Sequence, residues 1–133
     1  MSDIREDSAR LARFWATVSE EHNVEKFATA LHPEFTMWYN FDSITRTRAE
    51  FIETLKSAHA MFDNQKNEDL KITLTEDGFI LQATMTGILA GEAITSPYCF
   101  VATVKDGLVI TGDEYFDTAR LTKKAGRPGE GMI

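Results

Sequence analysis

The segment ITGDEYFD, residues 110–117, holds the side chain with the clearest chemical potential in this chain. Read as a strand, it puts Ile110, Gly112, Glu114 and Phe116 on one face, and Val109, Thr111, Asp113, Tyr115 and Asp117 on the other. The first face is apolar except for Glu114. If it points inward, desolvation raises the pKa of that carboxyl and suits it to general acid or base work. The plainer alternative is a glutamate bonded to backbone, or one facing solvent from an edge strand.

His59 is the second candidate, because an imidazole titrates in the range that proton transfer needs. It sits on the apolar stripe of an expected helix, between Leu55 and Phe62. The competing reading is a satisfied histidine at the edge of a helix interface. His22 and His32 lie near helix ends and read as structural or solvated. The three histidines share no metal-binding spacing, and no H-E-x-x-H or C-x-x-C occurs, so no metal site is expected. No Gly-rich phosphate loop follows a strand. The single cysteine, Cys99, excludes an internal disulfide and reads as a small core residue.

These side chains need elements to position them. Ile4, Ser8, Leu11, Trp15, Val18 and His22 recur at steps of three and four and predict a first helix, with Asp3 and Glu6 as a capping pair and Asn23 as a left-handed end. A short helix, VEKFATAL, follows and stops before Pro33. EFTMWYNF, residues 34–41, alternates as a strand, with Phe35, Met37, Tyr39 and Phe41 on one face and Thr36, Trp38 and Asn40 on the other. Thr47 and Glu50 form a capping box that opens a third helix along Phe51, Ile52, Leu55, Ala58 and Phe62. From Glu68 the period becomes two. Asp77-Gly78 and Asp106-Gly107 are hairpin turns, and Pro97 sits at an edge or bulge of the strand from Ala93 to Val104. The last strand runs from Leu108 to about Thr118. Three helices followed by a meander predict an α+β fold in one domain.

The chain has 133 residues, of which 43% are hydrophobic and 11% aromatic, which is enough for a core and excludes a disordered class. Its net charge is −7; residues 120–133 carry four basic residues and one acidic, a net of +3, so the remainder is −10. An acidic body argues against a nucleic-acid partner. The Gly-rich KKAGRPGEGMI reads as a flexible basic tail, residues 120–133, after a domain at 1–119. No apolar run is long enough to span a membrane and no signal-peptide core is present, so the expected location is the cytoplasm.

A long first helix, a short helix ending near a Pro, one strand, a helix and a meander closing on E-Y-F-D resemble the nuclear-transport-factor-2-like superfamily. Within it the chain is most similar to the SnoaL-like domains, relatives of ketosteroid isomerases and limonene epoxide hydrolases. The resemblance covers about residues 5–120. It implies a curved antiparallel sheet wrapped around the helices as a cone, with one deep pocket and dimerisation through the sheet. Compared with the epoxide hydrolases, Trp38-Tyr39-Asn40 keeps the Asn of a Tyr-x-Asn motif, and Glu114 replaces the Asp before Tyr-Phe-Asp. The Arg-x-Asp motif falls on Thr84-Met85-Thr86, where neither charge is present. Epoxide opening by that charged pair is therefore not expected.

The resemblance points Trp38 and Asn40 into the pocket, whereas alternation points Tyr39 inward. Glu114, His59 and Asn40 are accordingly the expected catalytic residues. Trp38, Tyr39, Thr84, Thr86 and Phe116 are the expected substrate contacts. The expected activity is isomerase-like or cyclase-like proton transfer on a hydrophobic, carbonyl-bearing small molecule, without a cofactor. The alternative is a non-catalytic ligand-binding or dimerisation module. An enclosed Glu114 within reach of Asn40 or His59 favours the first reading, and an exposed one the second.

Overall fold

The structure is a computed structural model and describes residues 3–117 and 119. The basic tail expected at 120–133 lies outside these residues. Helix α1 spans Ile4–Glu21, and the Asp3 side chain caps it by accepting from the Arg5 amide at 2.9 Å. Its inward stripe is Ser8, Leu11, Ala12, Trp15, Ala16 and Val18, all buried. The left-handed residue that ends α1 is His22, with φ 56, rather than Asn23. Asn23 instead caps α2, Val24–Ala28, by accepting from the Lys26 amide at 3.0 Å. That amide side chain gives more as a donor-satisfying cap than as a helix stop.

The second helix is shorter than expected, because the chain is already extended at Leu31. Strand β1 covers Leu31–Tyr39 and takes in His32 and Pro33. A short strand β2, Thr45–Thr47, pairs antiparallel with it. Helix α3, Arg48–Met61, begins with the complete capping box between Thr47 and Glu50. The Arg48 guanidinium reaches back to the Ala28 carbonyl at 3.1 Å and ties the start of α3 to the end of α2. Strand β3 then runs Phe62–Leu74, so Phe62 belongs to the sheet and the strand starts six residues earlier than Glu68. Strands β4, Gly78–Leu89, β5, Glu92–Lys105, and β6, Leu108–Phe116, complete the meander.

One six-stranded sheet results, in the order β2-β1-β6-β5-β4-β3. The α+β class stands, and every pairing is antiparallel except β1 with β6, which is parallel. That pair makes the sheet mixed: β1 lies before the helix α3 and the meander returns beside it in the same direction. β6 stops opposite Tyr98, which leaves Pro97 beyond the paired stretch on that side of β5. No helix among the described residues is long and apolar enough to cross a membrane.

Trp15 is the centre of the core. Its ring stacks on Phe100 at 4.2 Å and 14° and meets Phe27 edge-on at 4.6 Å. Such aromatic pairs add about 0.5–1.5 kcal/mol each beyond the area they bury. Phe35, Met37 and Tyr39 of β1 point into the same core, as alternation requires. On β6 alternation breaks once. Val104 pairs with Val109 but Thr103 pairs with Thr111, so Ile110 is an extra residue in the ladder. The buried residues are therefore Val109, Gly112 and Glu114, and Ile110 is only half-buried.

Candidate active site

Between α1, α3 and the sheet lies a cavity of about 70 Å³. That is about half of the roughly 150 Å³ of an apolar cavity known to admit benzene. The rings of Trp15, Phe27, Tyr39, Phe62, Tyr98 and Phe116 line it. Leu55, Ala58 and His59 close it from α3, and Met85 from β4. Ser19, Thr54, Gln65 and Asn67 add polar atoms, and among the described residues no Lys or Arg lines it.

Among the described residues Glu114 is the one carboxyl in this wall, and it is 8% exposed. Its position follows from register: it lies opposite Phe100 on β5 and Tyr39 on β1, both inward-facing. Burial pushes its pKa from the ordinary 4.5 up to about 8, against a smaller downward pull from a hydrogen bond with the Tyr98 side chain. The carboxyl is thus protonated at neutral pH and titrates within reach of it. Burial, then the nearby Glu114, hold the phenols of Tyr39 and Tyr98 well above their usual range. Both remain O–H groups at any ordinary pH.

His59 also lines the cavity. Its ring stacks on His22 at 4.1 Å and 5°, and His22 Nε2 pairs with Gln65 Oε1 at 2.7 Å. Burial and the neighbouring His22 lower the His59 pKa to about 4, so it is a neutral imidazole at pH 7. His59 Nδ1 is buried without a hydrogen-bond partner.

The structure brings Glu114, His59, Tyr39 and Phe116 together around one space. It places the other four expected site residues elsewhere. Asn40 is a clip: its Nδ2 donates to the Phe116 carbonyl at 3.0 Å, and its Oδ1 accepts from the Phe116 amide at 3.1 Å. Both ends of the amide are committed to backbone, so Asn40 holds β6 against β1 instead of facing a substrate. Trp38 points to the opposite side of the sheet, where its ring packs against Tyr115 at 5.4 Å. Thr84 and Thr86 lie on that outer side too, because the residue between them, Met85, is the one that turns inward. Cys99 is half-buried on the same outer face of β5, not in the core.

Tyr98 and Trp15 are the residues that reasoning from sequence missed. Tyr98 alternates with Phe100 on β5 and so shares the inward face with Glu114 across the hairpin. The bulge at Ile110 hid this. Among the described residues there is no group of three or more His, Cys, Asp or Glu side chains that would hold a metal ion.

With a buried, titratable carboxyl and two phenols in an aromatic cavity, the arrangement can accept or supply a proton beside a hydrogen-bond donor. The fold that carries it is widely shared. PrhC from Penicillium brasilianum superposes with a TM-score of 0.84 at 15% identity, covering 98% of this chain and 96% of that one. BvnE pinacolase from Penicillium brevicompactum does so at 0.79 and 13%, covering 91% and 93%. A protein with a ketosteroid isomerase-like fold from Catenulispora acidiphila, solved in complex with trimethylamine, gives 0.76 and 16%, covering 89% and 93%. At these identities the likeness speaks for the fold alone. No curated protein sequence matches the chain. The model of the SnoaL-like domain matches residues 11–111, and the chain belongs to that family.

Proposed function

We propose that this protein is an acid–base isomerase or cyclase in which its own side chains move a proton on a compact, hydrophobic, carbonyl-bearing molecule. The observation that carries the reading is Glu114: a carboxyl buried in an aromatic cavity, without a cationic side chain in the wall among the described residues, so that burial pushes its pKa up to about 8. A base is most effective when its pKa lies near the working pH. Ionised, Glu114 takes a proton from the carbon next to the carbonyl; protonated, it returns one at another position. Tyr39 and the neutral His59 are the donors on hand for the developing oxyanion. Asn40 is not assigned that role, because both ends of its amide bond the Phe116 backbone. The wall is predominantly aromatic and aliphatic, which selects an apolar ligand over an anionic one.

The test is proton exchange. A panel of small cyclic and aryl ketones is incubated in D2O, and loss of the α-proton signal is followed by NMR. Wild-type protein is expected to accelerate exchange on at least one ketone, with a rate that rises with pH and levels above about 8. Glu114→Gln is expected to lose roughly 10²–10⁴-fold. Exchange that persists unchanged in Glu114→Gln would show that Glu114 is not the base. The cavity would then be better read as a ligand-binding site.

A further inference from the structure

A cavity of about 70 Å³ is too small for a ring-sized ligand as it stands, so such a ligand enters only if part of the wall moves. The sheet is the stiff side. Leu81, Phe100 and Glu114 are paired across three strands, as are Ala83, Tyr98 and Phe116. Trp15, Phe27 and Tyr39 are fixed in the core, each no more than 2% exposed. Helix α3 is the weak side, and its two halves differ. The first half is tied down three times. Thr47 and Glu50 close the capping box, Arg48 reaches the Ala28 carbonyl, and the buried Phe51 meets the rings of Phe35, Phe27 and Trp15 at 5.3, 5.8 and 6.3 Å. The second half gives Thr54, Leu55, Ala58 and His59 to the wall, yet each of them is only half-buried.

Two contacts hold the far end of α3. The Ala90 amide donates to the Met61 carbonyl at 3.0 Å, which fixes the point where α3 turns into β3. One turn earlier the His59 ring lies on His22 at 4.1 Å and 5°. His22 meets it from the end of α1, where its φ of 56 lies in the left-handed region that favours glycine, and its Nε2 pairs with Gln65 Oε1 at 2.7 Å. An uncommon backbone conformation thus places one ring of the stack. We propose that the second half of α3, residues 54–61, is the gate of the cavity, and that the His22–His59 stack is the latch that holds it shut. The latch is easily released, because His59 Nδ1 is buried without a partner. That is a cost of the shut state, and water removes it when the ring swings out. Hydration of the nitrogen offsets loss of the stack, so the open and shut forms lie close in free energy. Such a gate serves any apolar, ring-sized ligand, and it goes beyond the acid–base reading of Glu114 without depending on it.

The experiment follows amide hydrogen exchange along α3 by NMR, and the binding of fluorobenzene by fluorine NMR, in wild type and His22→Asn. In wild type the amides of residues 58–61 are expected to exchange roughly tenfold faster than those of residues 52–55. Asparagine tolerates the left-handed backbone and carries no ring, so His22→Asn removes the latch and spares the helix end. It is expected to raise both the exchange of residues 58–61 and the fluorobenzene association rate by roughly 2- to 12-fold, the factor that one aromatic pair supplies. The wild-type comparison stands whether or not the variant folds. If residues 58–61 exchange no faster than 52–55 in wild type, or the association rate is unchanged in His22→Asn, α3 is not the gate and the proposal is wrong. Fluorobenzene that binds neither protein overturns it too, because the cavity then does not open to a ring. Fluorobenzene has no carbonyl, so each of these results is separate from the α-proton exchange that tests Glu114.

Discussion

Glu114 should make the protein less stable as the pH rises, and replacing it should remove that dependence. The folded-state pKa is about 8 against an ordinary 4.5, so the folded protein holds this proton more tightly than the unfolded chain does. The sign follows from linkage. Below about 4.5 both states are protonated and the site carries no penalty. Between 4.5 and 8 the unfolded chain ionises freely while the folded one resists, and stability falls with each unit of pH. Above 8 the full penalty is present and constant. One pKa unit is worth about 1.36 kcal/mol, so the difference between 4.5 and 8 amounts to about 5 kcal/mol. That is comparable with the whole stability of many domains and corresponds to roughly 15 °C in Tm at this size.

The assay is urea or thermal unfolding, followed by circular dichroism, from pH 5 to pH 9 for wild type and Glu114→Gln. Glutamine keeps the shape and an acceptor for Tyr98 but cannot ionise. The two proteins should nearly coincide at pH 5 and separate progressively, with the variant the more stable by about 5 kcal/mol at pH 9. All other titrating groups cancel in the difference. Curves that stay parallel across this range would refute the reasoning, because they would mean a solvated or paired Glu114. The expected variant is both more stable and inactive, the trade that a strained functional group imposes.

Further outcomes follow from other parts of the fold. His59 works in the opposite direction: its folded pKa of about 4 lies below the ordinary 6.5, so wild type should also lose stability as pH falls from 6.5 to 4, and His59→Gln should flatten that acid limb in the same unfolding series. Asn40→Ala breaks both bonds to the Phe116 backbone and should cost about 1–3 kcal/mol in urea unfolding, and Asn40→Asp, which keeps the acceptor but sets a carboxylate oxygen against the Phe116 carbonyl, should cost at least as much.

Much of the site was legible because alternation is a strong constraint where one face is buried. Gly112, Glu114 and Phe116 share the inward side of β6 as their spacing required, and Tyr39 rather than Trp38 turns inward on β1. The resemblance assigned Trp38 and Asn40 to the pocket, and the hydrophobic pattern of this particular strand overrode it. Thr47 and Glu50 announced α3 correctly, since a capping box is a local device that tertiary packing seldom overrides. What stayed hidden was non-local. Counted outward from the Asp106-Gly107 turn without a bulge, Glu114 would face Cys99; the extra residue at Ile110 moves it opposite Phe100 and so beside Tyr98. One irregular residue therefore decides whether the carboxyl has a phenol for a neighbour. Strand β2 is three residues long and carries no pattern of its own. His32 and Pro33 looked like a helix stop, and the same restriction on the residue before proline also suits an extended strand.

The outer strands bear on how safely this sheet can exist in a crowded solution. An unpaired strand edge is a template for other chains, and β3 is thirteen residues long with one side unpaired. Its ladder with β4 slips twice, between Asp63 and Lys66 and between Glu68 and Lys71, and Asn64 and Asp69 have φ of 53 and 54 at those points. Each slip re-aims the backbone amides and carbonyls, so an incoming strand finds short, misaligned runs instead of a continuous row. At the opposite edge β2 offers only Thr45–Thr47. Both edges of the sheet are thereby poorer templates for an added strand than a continuous ladder of the same length would be.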